Sequence, residues 1–138
     1  MRAYVLGGLI LALVVVASPA PTAAHHSFAA EFDADKPITL TGIVTKVEWT
    51  NPHVWFYINV RDENGRMVNW GAEMGPPHGL QRRGWRRDTL KIGEEVTVSG
   101  SLAKNGSKRV NARSVILTST GGRPGETLDA ASSQRETP

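Results

Sequence analysis

Two histidines stand side by side at His25-His26, directly after a long apolar run, and a third, His53, follows Asn51-Pro52. Imidazole nitrogens bind borderline metal ions well, and planar sets of nitrogen donors suit Cu(II). If processing makes His25 the first residue, its free amine and its own imidazole can chelate one ion together. A third nitrogen from His53 would complete a T-shaped histidine brace, with His26 alongside. A cut one residue earlier would place His26 third, which is another N-terminal chelate for copper or nickel. Glu73 is the carboxylate expected to share the outward face with His53. Each residue also has an ordinary reading: two histidines that merely follow a cleavage site, a loop imidazole bonding locally, an exposed carboxylate. His78, after Pro76-Pro77, reads as a lone loop histidine in solvent.

These side chains need strands to position them. Hydrophobicity alternates with period two through residues 53–61, where Val54, Phe56, Ile58 and Val60 share one face. His53, Trp55 and Tyr57 fall on the other. Residues 67–74 repeat the alternation, with Val68, Trp70, Ala72 and Met74 inward and Asn69, Gly71 and Glu73 outward. Between the two runs, Asp62-Glu63-Asn64-Gly65 is a hairpin turn in which Gly65 takes the left-handed position. Setting Val60 opposite Val68 and Phe56 opposite Ala72 puts Trp55 opposite Glu73, with His53 diagonal to that carboxylate.

Residues 40–49 form a first strand whose inward set changes phase between Val44 and Val47, which demands a bulge. Pro76-Pro77 opens a short helix near residues 77–83 that Gly84 closes. A fourth strand carries Val96 and Val98, a fifth runs over 110–117, and Asn105-Gly106 turns between them. The order predicts an all-β fold with one short helix, a five-stranded OB-fold-like barrel over 38–118. An immunoglobulin-like sandwich would need seven strands.

The chain has 138 residues, enough for one domain, and no cysteine. Disulfides, thiolate metal sites and cysteine nucleophiles are excluded. Residues 1–24 join one early arginine, an uncharged apolar run and a small, Pro-containing end, the pattern of a cleavable signal peptide. A cut after Ala24 sets Thr22 and Ala24 at the two selective positions. The predicted product is periplasmic or secreted, and no integral membrane protein once cleaved. It carries 15 basic residues against 13 acidic ones. That surplus is too mild to advertise nucleic acid. Residues 25–37 read as an N-terminal arm. Residues 119–138, with Leu128 as their one sizeable apolar group, read as a disordered tail.

A second constellation offers different chemistry. Outward Trp55 and Tyr57 could stack a ligand, unless the arm with Phe28 and Phe32 covers them. Arg82, Arg83, Arg86 and Arg87 around Gly84-Trp85 could clamp an anion. They could equally be a solvated helix end. Trp70 has core parity, and Trp85 could plug the barrel end. Enzyme templates fail: no spacing singles out a catalytic triad, and so small a core rarely builds a hydrolase cleft. A copper oxygenase has ligands behind it but lacks a broad substrate face.

Several separated motifs agree in order with a known pattern. They are His25-His26-Ser27-Phe28-Ala29-Ala30-Glu31-Phe32-Asp33, then Val47-Glu48-Trp49-Thr50-Asn51-Pro52-His53, Asn69-Trp70 with Glu73-Met74, Arg83-Gly84-Trp85, and Asn111-Ala112-Arg113. From His25 to Leu117 the chain resembles a bacterial family of secreted small β-barrel proteins of unknown function. The resemblance implies an exported barrel and no established activity. His78 departs from the family's form. The expectation is therefore an exported, non-enzymatic binding module holding copper through His25, His26 and His53, helped by Glu73. The alternative is an interaction module for an anionic polymer or a protein partner, using Trp55, Tyr57 and the arginines.

Overall fold

The computed structural model describes residues 28–118 and 125–134. The predicted signal peptide, with His25 and His26, lies outside the described residues. A single helical turn, α1 (Phe28–Glu31), leads into a long strand, β1 (Phe32–Glu48). Then come β2 (Trp55–Arg61), β3 (Met67–Glu73), the helix α2 (Pro77–Arg82), β4 (Glu95–Ala103), β5 (Arg109–Leu117) and β6 (Thr127–Asp129).

The fold is mostly β, a six-stranded sheet in the order β3-β2-β1-β4-β5-β6. Neighbours in that order pair antiparallel. β3 also pairs in parallel with the start of β5, Gly71 opposite Arg109 and Glu73 opposite Asn111.

β1 can serve two partners because it bends. Its register against β2 shifts between Val44 and Lys46, where the phase change in the sequence demanded a bulge. β2 and β3 pair as parity predicts, Val60 with Val68, Phe56 with Ala72 and Trp55 with Glu73. Their turn is held by Asp62, whose backbone N–H donates to the Arg66 carbonyl at 2.8 Å, with Gly65 at φ 76°.

The inward faces of these strands fill the core with Val44, Phe56, Ile58, Val96, Val98, Val110 and Val115. Leu80 of α2 and Trp85 complete it, and Trp70 sits at its margin. α2 begins after Pro76, as expected, and Gly84 at φ 89° turns the chain so that Trp85 drops inward.

Two boundaries need correction. The arm expected over 25–37 is strand from Phe32 onward, because Phe32 is buried opposite Ala103 of β4. The tail expected to be disordered supplies a sixth strand, β6, against β5. Apolar burial alone does not account for that strap. Trp85 donates its indole N–H to the Asp129 carbonyl at 2.7 Å, and Gly75 donates its N–H to the Ala130 carbonyl at 2.8 Å. Beyond β6, Ser132 donates to Asn111 Oδ1 at 2.5 Å and Arg113 donates to Gln134 Oε1 at 2.6 Å. Asn111 and Ser101, both buried, are satisfied in this way.

The seat of the strap is narrow. A Cβ at Gly75 would lie 2.4 Å from the Ala131 carbonyl oxygen and 2.5 Å from its Cβ. Gly75→Ala is therefore expected to destabilise by about 1–3 kcal/mol, as overpacking does. Thermal unfolding measures it, and an unchanged midpoint would place the strap elsewhere in solution.

Candidate functional site: the His53–Glu73 corner

His53 and Glu73 meet because the β2–β3 pairing outruns both strands. Past the ladder, Val54 donates its N–H to the Gly75 carbonyl at 3.1 Å, and Met74 donates to the Val54 carbonyl at 2.8 Å. Those bonds carry His53, which follows a cis Asn51–Pro52 peptide, alongside the end of β3. His53 Nδ1 lies 2.7 Å from Glu73 Oε1. The imidazole is partly exposed, whereas the carboxylate is only 5% exposed.

That burial corrects the sequence reading of Glu73 as an exposed outward carboxylate. Parity places it on the outer face, but that face is covered here. α1 is pinned nearby, with Lys104 donating its backbone N–H to the Glu31 carbonyl at 2.9 Å and its ammonium to the Ala29 carbonyl at 2.6 Å. Phe28 stacks on Phe32 with ring centroids 5.9 Å apart. Burial pushes the Glu73 carboxyl up to about 7, the charge of Glu31 adds to the rise, and Arg109 opposes it.

Chemically, the pair is a carboxylate behind an imidazole. Metal-bound histidines commonly give their second ring nitrogen to a carboxylate, which fixes the tautomer and strengthens the ligand. With Nδ1 turned to Glu73, Nε2 is the nitrogen directed away from the carboxylate. Among the described residues no group of three or more His, Asp or Glu side chains could hold a metal by itself. His25 and His26, the other expected ligands, are outside the described residues.

The remaining candidates are dispersed. Trp55 lies outward beneath Arg109, whose guanidinium carbon is 6.0 Å from the ring centroid. Tyr57 lies under Lys46, 5.4 Å from its ring, and donates its hydroxyl to Glu48 at 3.1 Å. The aromatic face thus carries the chain's own cations. Lys46 pairs with Glu48, and its hydrogen bond, ahead of that of Tyr57, holds the Glu48 carboxyl low.

Arg82, Arg83, Arg86 and Arg87 are all exposed on α2 and the turn after it. Arg83 pairs with Asp129 of β6 at 3.2 Å, and Arg86 lies 3.6 Å from Asp88. His78 is exposed on α2. Sequence reasoning missed Glu31, Arg109 and Asn111 as neighbours of this corner. For Asn111 a signal existed, a polar residue between the apolar Val110 and Ala112 of a strand. Glu31 and Arg109 gave none.

The sequence matches the profile of DUF6152, described as a family of unknown function, over residues 12–112. The chain belongs to this family. No match was found among curated proteins. Among solved structures this DUF6152 protein is similar to the ZRD-deleted mutant of TiaS, crystallised in complex with agmatine, with a TM-score of 0.47 and 22% identity. The likeness covers 72% of this chain and 27% of that one.

Proposed function

We propose that this protein is an exported, periplasmic binding module that holds a copper ion at the His53–Glu73 corner. His25, with its amine and imidazole, His26 and His53 supply the ligands, and Glu73 orients His53 from behind. The observation that carries the reading is the 2.7 Å contact between an imidazole nitrogen and a carboxylate that is almost wholly buried. A buried carboxylate costs stability, and its use as the brace of a ligating histidine gives that cost a purpose.

Two other features support the reading. The pairing succession β1, β2, β3, β5, β4 and back to β1, with α2 between β3 and β4, favours an OB-fold-like closed barrel with this corner on its rim. The apolar run before His25 favours export, and no described helix is long and apolar enough to cross a membrane.

A competition titration of Cu(II) against a chelator tests the site. Chain beginning at His25 is expected to bind far more tightly than chain extended by one residue, because extension converts the amine to an amide. His53→Ala weakens binding, Glu73→Gln costs roughly tenfold to a hundredfold, and His78→Ala does little. Affinity falls as pH drops through about 6.5, since protons compete for imidazole lone pairs. Equal affinity in the processed and extended forms removes the brace. Equal affinity in His53→Ala as well leaves the anionic-partner reading, through Trp55, Tyr57 and the four arginines, in first place.

A further inference from the structure

The ladder between β1 and β2 ends at Ile43 opposite Asn59, whereas the ladder between β1 and β4 continues back to Pro37 opposite Ser101. Among the described residues, β1 is therefore laddered over 38–41 on its β4 side only. On the other side the β2–β3 hairpin leans away and leaves a groove of about 690 Å³. Thr39, Leu40 and Thr41 form one wall of it, and Val60, Val68 and Trp70 an apolar floor. The volume suits a specific ligand.

The rim is cationic. Asp62 is consumed by its own turn, accepting the N–H groups of Asn64 and Arg66 and pairing with the Arg66 guanidinium at 3.2 Å. Arg61 donates to the Gly65 carbonyl, and Lys108 lies 5.0 Å from the Trp70 ring centroid. Neither contact neutralises its cation, so Arg61 and Lys108 face the groove against Glu63 alone on that rim.

We propose that this groove binds an extended peptide segment of a partner protein, added as a strand to the open edge of β1. One face of the segment is apolar and lies on Trp70 and Val68. The other carries acidic side chains toward Arg61 and Lys108. The backbone edge selects a peptide over a compact small molecule, because unpaired N–H and C=O groups are a template for another strand. Four residues of strand span about 13 Å, so a short segment suffices. This site is separate from the copper corner and stands without it.

The probe is an acetylated, amidated hexapeptide alternating valine and glutamate, titrated into isotope-labelled full-length chain by NMR. Saturable shifts are expected at the amides of residues 38–41 and at the Trp70 indole N–H. The double variant Arg61→Glu, Lys108→Glu is expected to weaken binding at least tenfold, as is N-methylation of alternate peptide amides. Both substituted side chains are exposed, and circular dichroism verifies that the variant folds. A peptide alternating valine and lysine is expected not to bind.

Three outcomes overturn the proposal. They are no saturable shifts at millimolar peptide, shifts confined to another face, or affinity indifferent to N-methylation. Saturation of the groove by decanoate with no response to the peptide would make it a site for small amphiphiles instead.

Discussion

Trp85→Ala is expected to remove about 3–5 kcal/mol of stability, as truncating a buried tryptophan does. Trp85 is 1% exposed, the largest of the fully buried side chains. Its ring fills the space between α2 and the strands, and its indole N–H holds the Asp129 carbonyl of β6 at 2.7 Å. Alanine would leave a cavity and also release the strap from one of its anchors. Small domains hold only about 5–15 kcal/mol in total, so the loss is a large share. Urea unfolding measures it. Trp85→Phe keeps an aromatic ring, loses the hydrogen bond to the Asp129 carbonyl and leaves a smaller void, so it is expected to cost less than alanine, at about 1–3 kcal/mol. A loss below about 1 kcal/mol for alanine would mean that Trp85 is not the plug its burial indicates.

In metal-free protein, stability is expected to fall as pH rises from about 4.5 to about 7, and to level off above that. The cause is Glu73. Burial, reinforced by the nearby Glu31, raises its carboxyl from 4.5 to about 7. Between those values the folded chain keeps a proton that the unfolded chain has released. Folding then takes up protons, and stability must decline with increasing pH. The full shift corresponds to roughly 3 kcal/mol, at 1.36 kcal/mol for each pH unit. Glu73→Gln keeps a polar amide against His53 but has nothing to ionise. The difference between the two stability curves should therefore slope through this window and be flat outside it. Denaturant midpoints taken at half-unit steps of pH provide the test. A wild-type curve parallel to that of Glu73→Gln would show that the carboxyl is not raised, because either water or an ion pair with protonated His53 offsets its burial.

Legibility differed between the two faces of the same strands. Alternation over residues 54–60 and 68–74, pinned by the Asp62-to-Gly65 turn, was enough to fix the β2–β3 register and the Trp55–Glu73 pair. Local chemistry also announced the bulge near Val44 and the start of α2. Parity says which way a side chain points, though, and nothing about what lies over it. Glu73 is buried, with Glu31 and Arg109 brought close from distant parts of the chain, so its burial and its raised pKa were hidden. β6 was hidden for another reason. Its segment has one sizeable apolar residue, Leu128, and is held through backbone carbonyls and the side chains of Ser132 and Gln134. Hydrogen-bond partners leave no periodicity to read. His25 and His26, the proposed copper ligands, lie outside the described residues.

The strap also sets a timetable. Residues 127–134 are synthesised after every other strand of the core, yet Trp85, Gly75, Ser101 and Asn111 all depend on them for hydrogen bonds. A nascent chain that has reached only Leu117 has its five longer strands, but the bonds that close its outer face are missing. Native closure thus waits for residues 127–134 to join the rest of the fold. A product cut short before Thr127 would present an open β5 edge and bare polar groups, and the quality-control proteases that sample opened states would meet it first.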